Sequence, residues 1–139
     1  MSKHRRIVSL NRVDESLALF NQMLIPFVID VRGEEVYFDL GDYVHLLDDE
    51  ERLQRIRWIR ETLVNPEEIR RSHLKSKPFR EVYIATIYES EDDLTGEPFV
   101  VGVDRKLGRL DFRTALVPEA SYLKQLRKGR LLWPERQKK

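Results

Sequence analysis

The feature that most constrains the fold is the segment at residues 81–88, which is apolar on both faces when extended. Val82 and Ile84 lie on one side of such a strand, and Tyr83 and Ile87 lie on the other. Apolar residues on both faces are typical of a strand in the middle of a sheet, because a strand at the surface usually keeps one polar side. The sequence therefore predicts a central strand here, with the other elements arranged around it.

A charged amphipathic segment precedes this strand. Asp48 and Asp49 are suited to the positive end of a helix dipole. The apolar residues that follow have helical spacing and form one stripe: Leu53, Ile56, Ile59 and Leu63. We therefore predict a main helix that ends before Pro66, and one further helical turn at residues 66–72.

Two more apolar segments follow the central strand, at residues 98–104 and 109–118, and short polar loops connect them. Short connections favour an antiparallel meander of three strands. In the last strand, we expect alternation to place Leu110, Phe112, Thr114 and Leu116 on one face. A final helix is predicted at residues 119–129, closed by Gly129, and residues 131–134 form either an edge strand or a docked tail.

The N-terminal part predicts a short helix at residues 14–24, capped by Asp14, and a hairpin at residues 27–40 that turns at Gly33. Residues 40–47 are expected to form a connector. The predicted class is α+β: an antiparallel β-meander sheet packed against a main helix, with an N-terminal hairpin and a C-terminal helix. We expect a single domain over residues 1–139, comprising an N-terminal helix and hairpin extension (1–44), a core (45–133) and a basic tail (134–139).

Composition excludes several classes of protein. No apolar run approaches the ~20 residues needed to cross a bilayer, and the start lacks the apolar segment of a secretory signal. The chain has no cysteine and only 3 histidines, far apart in sequence, so we expect neither a metal site nor a cofactor, and a cytoplasmic location. Because the formal net charge is only +1, any attraction to nucleic acid must come from local clusters.

One such cluster lies between the predicted helical turn and the central strand, and consists of Arg70, Arg71, His73, Lys75, Lys77 and Arg80. Lysine and arginine attract phosphate, and arginine can bind it through two hydrogen bonds. A nearby aromatic residue such as Tyr83 could stack on a base. The alternative interpretation is a solvated loop with no ligand.

Four residues are candidates for specific roles in a site. His45 precedes the main helix and could act as a general acid or base; the alternative is a half-buried histidine at the helix entry. His73 could do the same, or could simply be exposed. Arg113 and Thr114 on the last strand could bind phosphate, although Thr114 could equally fill a core position with its methyl group.

From His45 to Trp133, the ordered series of elements resembles the phage-type members of the barnase, EndoU, colicin and RelE-like nuclease superfamily. The resemblance rests on a histidine before a helix, the Asn-Pro-Glu-Glu-Ile-Arg run that ends at Arg70, an aromatic-bearing strand, and a strand with the Thr-Ala-Leu-x-Pro run that begins at Thr114. A basic helix and a Leu-Trp pair complete the series. Such proteins are often phage-borne or toxin-like.

The resemblance implies cleavage of RNA without metal, on an open sheet face, by attack of the ribose 2′-hydroxyl on phosphorus. It implies catalytic roles for four residues: His45 as acid or base, Arg80 as phosphate binder, Tyr83 as stacking or proton-relay group, and Thr114 as a hydroxyl on the last strand. The implied substrate-binding residues are Arg70, Arg71, His73, Lys75 and Arg113.

The sequence departs from the family pattern in three informative ways. Asp104 stands where the middle strand often ends in lysine, the helix after His45 lacks a second histidine, and Leu116 replaces the tyrosine that often follows Thr-Ala. These departures keep open an alternative function, a non-catalytic module that binds RNA or a protein partner of the antitoxin or immunity type.

Overall fold

The computed structural model describes residues 15–46, 52–88 and 90–135 of the chain. Its strands are β1 (Phe27–Ile29), β2 (Glu35–Tyr37), β3 (Glu68–Arg71), β4 (Arg80–Ile87), β5 (Glu97–Lys106), β6 (Arg109–Leu116) and β7 (Leu131–Trp133). Its helices are α1 (residues 15–23), α2 (Leu40–Leu46), α3 (Arg52–Val64) and α4 (Ala120–Leu126). The predicted α+β class is confirmed. None of these helices is long and apolar enough to span a bilayer.

The strands form one seven-stranded sheet in the order β1-β2-β6-β5-β4-β3-β7. Strands β4, β5 and β6 form the antiparallel meander expected from their short connections. The sheet as a whole is mixed, because β2 runs parallel to β6, with Val36 opposite Leu110. The expectation of a purely antiparallel sheet was therefore wrong: the meander leaves one edge of β6 unpaired, and the N-terminal hairpin supplies the strand that satisfies its backbone.

One face of the sheet is covered by helices. Helix α3 packs against β1, β4 and β5, and its Ile56, Ile59 and Leu63 are fully buried, as the helical stripe predicted. Phe20 of α1 joins the same core. The predicted helix start at Asp48 and Asp49 and the predicted cap at Asp14 lie outside the residues that the structure describes.

Helix α4 lies on the opposite face of the sheet. Its Leu123 and Leu126 pack on Val82, Ile84 and Val100. Strand β4 is therefore covered on both sides, with helix α3 on one face and α4 on the other, which confirms its prediction as a central strand.

Two local predictions were wrong. Residues 68–71 are strand β3 instead of a helical turn, because Ile69 is fully buried opposite Tyr83 and the backbone pairs with both β4 and β7. Residues 40–46 are helix α2 instead of a connector, because Tyr43 and Leu46, three residues apart, both reach the core. Residues 131–133 adopt the edge-strand alternative as β7.

Candidate functional site on the open sheet face

Helix α4 covers only part of its face of the sheet and leaves a polar surface beside it. Strand pairing places Arg80 opposite Asp104, and Val82 opposite Gly102, so these residues share a face with the α4 contacts. The next strand, β6, adds Thr114 opposite Gly102. We call the surface formed by Arg80, Gly102, Asp104, Arg113 and Thr114 the open-face cluster.

Gly102 lies at the centre of the open-face cluster. A Cβ atom at this position would lie 2.9 Å from Cγ2 of Thr114 and 3.3 Å from Cδ of Arg80. Arg80 and Thr114 therefore flank Gly102 closely, and no larger residue fits without displacing them. A glycine in a strand interior commonly marks a place where a ligand or another backbone approaches closely.

A β-bulge in β6 builds the other half of the cluster. The register shifts between Gly102 and Val103, which lie opposite Thr114 and Phe112 respectively, so that Arg113 is the extra residue. Alternation is broken here: Phe112 is in the core, whereas Thr114 lies on the face of Gly102. The expectation that Phe112 and Thr114 share a face was therefore wrong, since a bulge reverses the alternation beyond it.

Asp104 joins the two arginines of the cluster. Its carboxylate accepts a hydrogen bond from Nε of Arg80 at 2.5 Å and another from Nε of Arg113 at 3.1 Å. Burial acts to raise the pKa of Asp104, but the hydrogen bonds and charges of Arg80 and Arg113 outweigh it and lower the pKa below its usual value. Both contacts use Nε. The terminal amino groups of each guanidinium therefore have further N–H groups that could donate hydrogen bonds to a phosphate.

A cavity of about 240 Å³ adjoins the open-face cluster, between α4 and the loop that connects β3 to β4. Its lining includes Arg71, His73, Val82, Tyr122, Gln125 and Leu126. Because Val82 pairs with Gly102 on the neighbouring strand, the cavity and the cluster lie side by side on one face.

The remaining basic candidates lie around this region with different partners. Arg70 donates to Glu68 at 2.6 Å and to the carbonyl of Gly129 at 3.0 Å, which fits a role in joining β3 to the segment after α4. Arg71 lies 3.9 Å from Glu81 and also lines the cavity. Lys75 is exposed on the β3–β4 loop.

Tyr83 lies on the opposite face, with its side chain fully buried. Its hydroxyl donates to Asp30 at 2.6 Å and accepts from Nη2 of Arg32 at 2.9 Å. Burial is the main cause that raises the pKa of this phenol, and the hydrogen bond to Asp30 adds to it, against the opposing charge of Arg32. The structure thus separates Tyr83 from Arg80 and Thr114.

His45 is exposed on α2. Burial raises the pKa of Asp42 on the same helix, although the charges of Arg113 and His45 oppose that rise. Among the described residues, no group of three or more His, Cys, Asp or Glu side chains could hold a metal ion.

Sequence reasoning missed three residues of this region. Tyr122 and Gln125 line the cavity, and Gly102 forms the centre of the cluster. An exposed tyrosine on a basic helix and a glycine inside an apolar strand were the available signals. Neither signal shows which residues lie beside Tyr122, Gln125 or Gly102, because those neighbours come from β3, β4 and β6.

Comparison with known families gives one match, to a family model described as phage-Barnase-EndoU-ColicinE5/D-RelE like nuclease2, over residues 18–134. The match begins within α1, so it includes the N-terminal hairpin that the resemblance from His45 onward had left out. No curated protein and no solved structure matches the chain.

Proposed function

Because the chain belongs to the phage-Barnase-EndoU-ColicinE5/D-RelE like nuclease2 family, we propose that its open sheet face binds RNA and cleaves its phosphodiester backbone. The family description indicates a nuclease-type function and a nucleic acid substrate. Cleavage by the ribose 2′-hydroxyl, and hence a preference for RNA, is the finer part of the proposal.

The observation that carries the proposal is the close arrangement of Arg80 and Thr114 around Gly102. A phosphate at the outer surface of the cluster, beside Thr114, would meet the terminal amino groups of Arg80 and Arg113, whose Nε atoms are bound to Asp104. Preorganised donors of this kind stabilise the charge that develops on phosphoryl oxygens during the reaction. Asp104 would hold Arg80 and Arg113 in place, since it accepts a hydrogen bond from each.

In the proposed reaction, a base removes the proton of the 2′-hydroxyl, and the 2′-oxygen attacks the adjacent phosphorus. The bond from phosphorus to the 5′-oxygen breaks, and an acid protonates that oxygen, which leaves a cyclic phosphate on the other fragment. His45 and His73 are the candidate imidazoles for these proton transfers, and His73 lines the cavity beside the cluster. The positive charges of Arg70, Arg71 and Lys75 would attract the flanking phosphates.

A second candidate function is a non-catalytic module that binds RNA or a protein. The observation in its favour is Asp104, whose carboxylate lies between Arg80 and Arg113 and neutralises part of their charge. If the site only binds RNA, Asp104→Asn should tighten binding at low salt, because it removes a negative charge near the phosphates. If the site is catalytic, the same change should slow cleavage, because the arginines lose their common partner.

The test is single-turnover cleavage of mixed RNA in the presence of a chelator. We expect Arg80→Ala to lower the rate by about 100-fold or more, the effect typical of removing one donor to a transition-state oxyanion. Thr114→Ala, His45→Ala and His73→Ala measure the contributions of the other candidates. The matched control is Arg60→Ala, which removes an exposed arginine from α3 on the opposite face.

Equal cleavage by wild type and Arg80→Ala would contradict the proposal and indicate a contaminating nuclease. Absence of cleavage together with salt-sensitive RNA binding would support the second candidate. A shallow dependence of affinity on salt would argue against phosphate contacts altogether.

A further inference from the structure

The cavity beside the open-face cluster has no role in the phosphate chemistry proposed above, yet its composition is unusual for a surface loop. Its walls are mainly apolar and include Val82, Leu126 and Leu74. Tyr122 lies at its wall with 44% of its surface exposed, and Gln125 also lines it. An aromatic ring, an aliphatic floor and one amide are the groups that proteins use to stack a base and contact its edge.

The size of the cavity limits its occupant. At about 240 Å³ it is smaller than the roughly 300–1,000 Å³ of pockets that hold drug-sized ligands. The cavity is therefore better suited to a single planar ring system than to a peptide segment of several residues. The basic residues in its lining, Arg71 and His73, favour a negatively charged molecule over a neutral one.

The cavity lies within a few ångströms of the open-face cluster. Val82 lines the cavity and pairs directly with Gly102. Val82 also lies two residues from Arg80 on the same face of β4, a rise of about 6.6 Å, so a ring held in the cavity and a phosphate at Arg80 lie within the dimensions of one nucleotide or two adjacent ones.

We propose that this cavity binds a nucleobase of the RNA strand whose phosphate is bound by Arg80, with Tyr122 as the stacking surface and Gln125 in contact with the base edge. The inference rests on the proposed function, since it assigns the base site of the same substrate. It makes Tyr122 and Gln125 the residues that determine which nucleotide is preferred at the cleavage position.

The test compares kcat/KM for four homopolymeric RNA oligomers among wild type, Tyr122→Ala, Tyr122→Phe and Gln125→Ala. Loss of one stacked base typically weakens binding about 5- to 150-fold. We expect Tyr122→Ala to lower kcat/KM on the preferred oligomer within this range, mainly through KM, while Tyr122→Phe keeps most of it. Gln125→Ala should reduce the difference between the preferred oligomer and the others.

The matched control is Tyr88→Ala, because Tyr88 is a similarly exposed tyrosine just beyond the opposite end of β4. We expect it to keep the wild-type kcat/KM and preference. A nuclear magnetic resonance titration with nucleoside monophosphates gives a second readout, in which the methyl groups of Leu74 and Leu126 should shift with the nucleotide and stay unchanged with inorganic phosphate.

The two proposals fail in different ways. If Arg80→Ala abolishes cleavage but Tyr122→Ala and Gln125→Ala leave both the rate and the base preference unchanged, the base site is wrong and the proposed function stands. If wild type cleaves no RNA but nucleoside monophosphates shift Leu74 and Leu126, the base site is supported and the catalytic proposal is wrong. If nucleotides and phosphate give the same shifts, the base site is overturned.

Discussion

At the scale of single residues, the protein has a second group of charged side chains, which is buried on the face of the sheet opposite the open-face cluster. Asp30 and Glu81, both at most 4% exposed, share the guanidinium of Arg32, which lies 3.0 Å from the first carboxylate and 2.9 Å from the second. Arg105 completes the network with a 2.6 Å contact to Glu81. Buried charges persist only when they are paired in this way, so the network joins the hairpin to the centre of the sheet.

Tyr83→Phe tests the assignment of this tyrosine to the buried network. The change leaves Asp30 and Arg32 without the hydroxyl that each contacts. We expect the free energy of unfolding to fall by about 1–3 kcal/mol, because two hydrogen bonds to charged groups are lost while Asp30 and Arg32 keep each other as partners. Chemical denaturation measures it. RNA cleavage below the unfolding range should stay at the wild-type rate, and a large loss of rate in the folded variant would contradict the separation of Tyr83 from the site.

The role of Tyr83 illustrates what the sequence could not reveal at this scale. Arg80 and Thr114 were predicted as site residues from a motif, and the structure brings them together around Gly102. The same motif grouped Tyr83 with them, although alternation along β4 puts it on the other face. Its partner Asp30 is 53 residues away in the chain, so the pattern around Tyr83 carries no sign of it.

At the scale of elements, the segment after α4 approaches strand β3 very closely. A Cβ atom at Gly129 would lie 1.9 Å from the carbonyl oxygen of Arg71, and the backbone N–H of Arg71 donates to the carbonyl of Arg130 at 2.9 Å. This contact anchors α4 and β7 to the sheet, and so it also positions one wall of the cavity. The sequence predicted a helix over residues 119–129 closed by Gly129, but the helix ends at Leu126, and the glycine is required by its close approach to Arg71.

Gly129→Ala should separate these elements. Because backbone atoms occupy the space that the methyl group needs, we expect a loss of about 1–3 kcal/mol in the free energy of unfolding, as in other overpacked sites. Amide hydrogen exchange should show faster exchange in β7 and β3 than in β5. Gly108→Ala is the comparison, since its added Cβ would meet no atom within 4 Å and only its φ of +76° is unfavourable. Equal effects of the two changes would contradict the crowding argument.

Strand β3 shows why some elements could be predicted and others could not. The patterns of α3, β4, β5 and β6 are long enough to determine their type from local periodicity. Residues 66–72 contain one apolar anchor, Ile69, and a proline that favours a helix start. Their strand conformation comes from pairing with β4 and β7, which a local pattern does not contain.

At the scale of the whole molecule, charged pairs connect segments that are distant in sequence. Glu34 accepts two hydrogen bonds from Arg105, at 2.8 and 2.7 Å, across 71 positions of the chain. These hydrogen bonds hold the pKa of Glu34 below its usual value, against the opposing effect of burial. Asp104 on the other face has a lowered pKa as well. The stability of the whole fold is therefore linked to the ionisation of both carboxylates.

Acid should destabilise the protein through these two groups. Since each pKa is lower in the folded state, the unfolded chain binds protons first as the pH falls below the ordinary carboxyl range, and folding stability is lost through the lowered pKa values. Urea denaturation at pH 7, 5, 4 and 3 should show this decline. Glu34→Gln should be less stable at pH 7 and lose less on acidification, and a pH dependence identical to that of wild type would contradict the linkage.

The parallel pairing of β2 with β6 has a consequence for how the chain folds during synthesis. Val36 leaves the ribosome long before Leu110, the residue that it must face. The N-terminal hairpin therefore cannot pair with β6 until β6 has been synthesised. Contacts between residues so far apart in sequence form slowly, because a long loop must close first. Thr114, which flanks Gly102 in the open-face cluster, lies on the same strand as Leu110. We therefore expect the open-face cluster to stay unassembled in the nascent chain until β6 has emerged.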